Sequence, residues 1–263
     1  MARTTLRGSR KARAAASAEL LCEAVFRPLA HLVVLALLPL RVPPPAVVLA
    51  ATGTGLAAAV EIGCSDFVGA ALLLQLKTVL DNADGQLARA ADRVSVFGRY
   101  LDSESDLLVN ALLFVALGHV TGRWLLAAAS FAALTLVLSV DFNLERLFRR
   151  ERGEEREARP PAQGGAATAL ARVYDLVYAP QDRLVERLVE LRLRKLGTGP
   201  AERLRYHDAA TLTVVANFGL STQLAALGIC LIAGRPGAYL WIPIACGLAF
   251  VPLELRRRYL VKQ

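Results

Sequence analysis

Four aspartates carry the most legible chemistry in this chain. Asp81 and Asp84 stand three residues apart and are followed by Gly85, Ala88 and Arg89; after eight further residues come Gly98, Asp102 and Asp106, at intervals of four. Intervals of three and four put side chains on one face of a helix. Two facing helix ends would therefore pool four carboxylates, with the small Gly85 and Ala88 leaving room for a ligand beside them. Like charges so grouped repel, and a divalent cation resolves the conflict. Hard oxygen ligands favour magnesium, manganese or calcium over zinc, and a pair of such ions can bind a pyrophosphate while stabilising the attacking and leaving oxygens. The chemistry implied is phosphoryl-type transfer.

The same residues resemble the signature of the CDP-alcohol phosphotransferases, D-x2-D-G-x2-A-R-x8-G-x3-D-x3-D, and every fixed position is matched between residues 81 and 106. A pattern of this length is far more specific than a lone glycine-rich motif. The resemblance implies a transferase of phospholipid biosynthesis that moves a phosphoalcohol group from a CDP-linked donor to a hydroxyl and releases CMP. It implies two Mg2+ or Mn2+ ions, held by Asp81, Asp84 and Asp102, with Asp106 completing the site and acting as general base on the acceptor hydroxyl. It further implies that Gly85 and Ala88, beside Asp81, let the cytidine nucleotide approach, that Arg89 pairs with its phosphates, and that Gly98 permits close packing near the donor. Members often carry Pro-Asn-x-x-Thr at the start of the first span, where this chain has Pro44, Pro45 and later Val48.

The expected donor is a lipid such as CDP-diacylglycerol and the expected acceptor a small polar alcohol or alcohol phosphate. The reverse arrangement, a soluble CDP-polyol or CDP-aminoalcohol with a lipid acceptor, uses the same signature. Among nearby cations, Lys77 lies one turn before Asp81 and either neutralises it or reaches a donor phosphate; Arg99 either binds phosphate or faces anionic lipid headgroups. Arg146 and Arg172 are further candidates for an acceptor pocket. A divalent-cation carrier is the competing class, but an arginine beside the cation site suits a pyrophosphate better than a permeating ion. A homodimer is compatible with this plan.

The elements that must hold these aspartates are membrane helices. The chain has 263 residues, 55% of them hydrophobic, a formal net charge of +8 and a mean hydropathy of +0.42. Its apolar residues come in runs near residues 46–62, 67–80, 107–120, 124–140, 209–233 and 238–253, which approach the length of a bilayer-spanning helix of about 20 residues. The second and third suffice only if their helices run on into the polar stretch between them. An all-α integral membrane protein of about six spans is expected, in residues 43–263, preceded by a basic tail and an amphipathic interfacial helix in residues 1–42.

Basic flanks at residues 3–13, 146–159 and 256–258 place both termini and the insertion at residues 141–208 on the cytoplasmic side, and the aspartates with them. The inner membrane is the expected location. Within the insertion, one or two amphipathic helices broken near Pro180 are expected, with Arg172, Asp175, Tyr178, Gln181, Asp182 and Arg183 on a solvated face. Asn217, Ser221, Thr222 and Gln223 read as interhelical hydrogen-bonding groups inside the fifth span. Nucleic acid is excluded as a partner, because the arginines flank apolar runs and lack interleaved aromatics. The four cysteines are scattered and read as inert thiols.

Overall fold

The computed structural model describes residues 18–153 and 165–263. The basic flank at residues 3–13 and the end of the flank at residues 146–159 lie outside them. Among the described residues the chain is helical throughout, with no strand. After a π turn at Cys22–Phe26 come α1 (Arg27–Leu37), α2 (Pro44–Gly63), α3 (Phe67–Ala90), α4 (Val96–Thr121) and α5 (Trp124–Glu151). These are followed by α6 (Gly165–Leu196), α7 (Pro200–Tyr206), α8 (Ala209–Ala216), α9 (Leu220–Ile232), α10 (Pro236–Tyr239) and α11 (Ile242–Val261).

Five helical segments are long and apolar enough to cross a membrane: α2, α4, α5, the run Pro200–Ile232 and the run Pro236–Val261. Only 17% to 44% of each apolar window is buried inside the protein, so the remaining apolar surface needs lipid as its solvent. The protein is an all-α, multi-pass membrane protein. The remaining expected span is α3, which has 24 residues but spends its second half on Lys77, Asp81, Asp84 and Arg89, so it falls short of the apolar criterion. Both α3 and α4 do extend into the polar stretch, as the run lengths require.

Short polar side chains start the helices that matter. Asp66 Oδ1 accepts the Gly69 N–H at 3.0 Å at the start of α3, and Ser95 Oγ accepts the Gly98 N–H at 3.0 Å at the start of α4, each satisfying a donor that the helix leaves orphaned. Paired prolines at the start of α2 lose no hydrogen bond there. Inside the bundle, small residues bring backbones close: a Cβ on Gly55 would lie 2.6 Å from Val109 Cγ1, so α2 crosses α4 at near contact. The main apolar core joins Ile62 of α2, Leu74 of α3, Leu113 and Leu117 of α4, Leu134 of α5 and Leu227 of α9.

Three differences from the sequence-based expectation have physical reasons. Helix α6 runs unbroken through Pro180; an internal proline costs about 3 kcal/mol, and Val189 and Leu193 offset it by packing on Leu144 and Phe148 of α5. The fifth span is broken at residues 217–219, between α8 and α9. The polar cluster of the insertion is only partly solvated: Asp182 Oδ1 accepts Ser139 Oγ at 2.9 Å and Asn143 Nδ2 at 2.6 Å, tying α6 to α5. Nearby, Arg203 donates to Glu190 Oε1 at 3.1 Å and to Glu151 Oε1 at 3.3 Å, and its hydrogen bond holds the Glu190 carboxyl below the ordinary range.

Candidate functional site

Helix α3 delivers Asp81 and Asp84, α4 delivers Asp102 and Asp106, and the connection between the helices spans only residues 91–95. Asp81, Asp102 and Asp106 each offer a carboxylate oxygen, and the three oxygens lie within 4.8 Å of one another. Asp84, one turn further along α3 and 7% exposed, stands outside that trio. The structure thus brings three of the four aspartates to one point.

Lys77 is drawn into the same cluster. It is 1% exposed, and its Nζ donates to Asp81 Oδ1 at 3.1 Å and to Asp106 Oδ1 at 2.5 Å. The neutralising role read from its position one turn before Asp81 therefore extends across to the next helix. One ammonium cannot balance four carboxylates, and it engages two of them.

A divalent ion fits this donor set. Oxygens about 2.1 Å from an octahedral magnesium lie roughly 3 to 4.2 Å apart, and the observed spread of three hard oxygens is close to that. Further along α3, the guanidinium of Arg89 folds back toward Gly85, which adjoins Asp84 in sequence: a Cβ on Gly85 would lie 3.4 Å from its Nη1. Ala88 and Gly98 are half-buried, and Arg99 is exposed on the first turn of α4. A cationic side chain over a side-chain-free patch next to clustered carboxylates can bind a phosphate whose other oxygens meet a metal.

Among the described residues, the other basic candidates have different partners or form no ion pair with the aspartates. Arg146 pairs with Glu186 of α6 and donates to Asn143 Oδ1 at 3.1 Å, and Arg172 is exposed on α6. Two residues inside the signature escaped the sequence reading: Asn82 Oδ1 accepts Cys22 Sγ at 3.0 Å, and Gln86 Nε2 donates to the Arg27 carbonyl at 3.1 Å. Their signal was their polarity at non-signature positions of an otherwise one-faced motif. Glu104 also escaped notice. It lies two residues beyond Asp102, hence on another face of α4, is 9% exposed, and has no hydrogen-bond partner among the described residues.

With this geometry in view, the sequence model of one family, CDP-alcohol phosphatidyltransferase, matches residues 29–179, over half of the chain. A stretch of 98 residues is 38% identical to the bifunctional IPC transferase and DIPP synthase of Rubrobacter xylanophilus, covering 37% of this chain and 21% of that protein. A stretch of 76 residues is 38% identical to the protein of the same name from Aquifex aeolicus, covering 28% of this chain and 18% of that one. The chain spans about a fifth of the length of these relatives.

Proposed function

Because this chain belongs to the CDP-alcohol phosphatidyltransferase family, a family of transferases acting on CDP-linked donors and alcohol acceptors, we propose that it moves a phosphatidyl group from CDP-diacylglycerol or a similar lipid to a small polar alcohol. The observation that carries this reading is the convergence of Asp81, Asp102 and Asp106 within 4.8 Å, with Gly85 and Arg89 further along α3. In the reaction, the acceptor oxygen bonds to the phosphorus that bears the lipid alcohol, and the bond from that phosphorus to the CMP oxygen breaks. CMP leaves with the bonding electrons.

Asp81, Asp102 and Asp106, with Asp84 just outside their trio, would hold the divalent ions, two Mg2+ or Mn2+. Bound ions supply charge neutralisation of the pyrophosphate and of the leaving oxygen. Arg89 pairs with a donor phosphate over Gly85, and Ala88 and Gly98 keep the nucleotide's path open. Asp106 takes the proton of the acceptor hydroxyl. Lys77 positions Asp106 against Asp81.

The test is direct. Purified protein is incubated with labelled CDP-diacylglycerol and a panel of alcohols and alcohol phosphates, and the product is identified by mass. Metal-dependent CMP release with a new phospholipid supports the reading. Turnover only with a CDP-polyol or CDP-aminoalcohol and a lipid acceptor reverses the direction, and metal uptake into liposomes without CMP makes the protein a carrier.

Lys77 gives a first prediction. Lys77→Met removes a buried cation from between two carboxylates that keep 22% and 21% of their side-chain exposure. Removing one partner of a fully buried pair costs 3–5 kcal/mol, so a loss of about 2–3 kcal/mol is expected here in chelator. Millimolar Mg2+ should restore much of it, because the ion replaces the missing charge. A melting temperature equal to wild type in chelator would show that Lys77 is not holding the site together.

Orientation gives another. We place the aspartates on the cytoplasmic face of the inner membrane, a reading supported by the basic residues 256–258 and the positive-inside rule. Cys64 is exposed just before α3, at the end of the bundle opposite the aspartates. In variants carrying a single cysteine, an impermeant maleimide should label Cys64 from outside intact cells and leave a cysteine at position 262 untouched. Labelling of both from one side would overturn the span count.

A further inference from the structure

The broken fifth span is bridged from the far end of the chain. Glu19 is 5% exposed, and its Oε1 accepts the Thr222 N–H at 2.5 Å and Thr222 Oγ1 at 2.7 Å. Thr222 is the third residue of α9, and Gly219 gives that helix no side-chain cap of its own. Glu19 therefore serves as the cap from 203 residues away. Its charge also opposes the positive end of the α9 dipole, where an anion is favoured. A Cβ on Gly219 would lie 3.0 Å from Glu19 Oε2 and 2.9 Å from the Ala216 carbonyl, so the break admits this carboxylate because residue 219 has no side chain. A second bond, Leu20 N–H to Asn217 Oδ1 at 2.9 Å, holds the segment on the other side of the break.

The same segment grips the back of α3. Cys22 Sγ reaches Asn82 Oδ1 at 3.0 Å and the Arg27 carbonyl accepts Gln86 Nε2 at 3.1 Å, while Ala30 and Val34 of α1 pack on Ala83 and Leu87. Asn82 adjoins Asp81 in sequence. The π turn at Cys22–Phe26 lies between the residues that meet α9 and the helix that packs on α3. Near Gly228, α9 and α3 themselves touch closely: a Cβ there would lie 2.6 Å from Gln75 Nε2.

Geometry makes this grip consequential. A carboxylate oxygen sits roughly 6 Å from its helix axis, so a roll of about 10° displaces it by about 1 Å. Metal–ligand distances tolerate only about 0.2 Å. Lys77 and the apolar core restrain α3 on the site side, and residues 19–27 restrain it from behind.

We propose that residues 19–27 form a clamp that fixes the roll of α3 against α9, with Glu19 and Asn82 as positioning residues for the carboxylate cluster. The clamp rests on the metal-site reading above, and the experiment separates the two. Free Mn2+ is titrated by electron paramagnetic resonance into purified full-length wild type and the Glu19→Ala, Glu19→Gln, Asn82→Ala and Glu19→Ala/Asn82→Ala variants, with melting curves alongside.

Expected are a fivefold or greater weakening of Mn2+ binding in Glu19→Ala and Asn82→Ala, substantial recovery in Glu19→Gln, whose amide oxygen still accepts the Thr222 N–H, and a double variant weaker than wild type by less than the product of the single effects. The hydrogen bonds of Asn82 run to Cys22 and to the Thr78 carbonyl and not to α9, so Asn82→Ala reports on the clamp even if Glu19→Ala does not fold. Wild-type Mn2+ affinity in Asn82→Ala or in a folded Glu19→Ala, or effects that multiply independently, would overturn the clamp. Absence of Mn2+ binding by the wild type would instead overturn the site reading.

Discussion

Asp81→Asn and Asp102→Asn are expected to abolish CMP release and to weaken divalent-ion binding by more than about a hundredfold. Each substitution keeps the shape of the side chain and removes one full negative charge from a group whose oxygens lie within 4.8 Å. Losing an outer partner of a metal ligand already costs 10- to 100-fold in affinity or activity, so losing a ligand's charge costs more. Asp84→Asn is the informative companion. It stands outside the trio, so its turnover should also fail while one Mn2+ equivalent is retained, if a second ion is its charge. Near-normal turnover in any of the three would count heavily against a metal-dependent transferase.

Asp106→Asn should behave differently. Its carbonyl oxygen can still accept from Lys77, now bonded at 2.5 Å, so the α3–α4 link survives while the base is lost. Turnover should fall by about 10²- to 10⁴-fold, the usual contribution of general-base assistance, with donor affinity changed by only a few fold and metal affinity falling less than in Asp102→Asn, because Lys77 already offsets much of the Asp106 charge. Metal titration and CMP release are measured side by side with Asp102→Asn. Metal loss as complete as in Asp102→Asn would make Asp106 primarily a ligand, leaving the proton to water or to a substrate phosphate.

Helix periodicity is a property of a single segment, and what it can express was legible in the chain. The aspartate intervals, the continuation of α3 and α4 past their apolar runs, and the small residues beside the carboxylates all follow from one helix's own faces. Partnerships between distant segments leave no such trace. Lys77 could be assigned to Asp81, four residues on, whereas its bond to Asp106 depends on how α4 is set against α3. The polar residues of the fifth span were visible, but the break at residues 217–219 is bridged by Glu19 and Leu20, 203 and 197 residues away. Pro180 signals a helix end by local sterics, and packing of the following turns on α5 overrides it.

The two bonds that frame α3 differ greatly in how much chain they enclose. Lys77 to Asp106 closes 29 residues and Glu19 to Thr222 closes 203. For a flexible chain, that sevenfold difference adds about 1.7 kcal/mol to the entropy of closure. During synthesis, the α3–α4 hairpin can bring its aspartates together as soon as it is inserted, long before α9 exists. The acidic cluster is thus among the first tertiary features the nascent chain can form, and its rear support is among the last. A membrane-inserted chain arrested before residue 209 should already bind Mn2+, but with the weakened affinity of Glu19→Ala. On the clamp reading, the site would be assembled but loosely held between those two moments, and its tightening would mark the insertion of the fifth span.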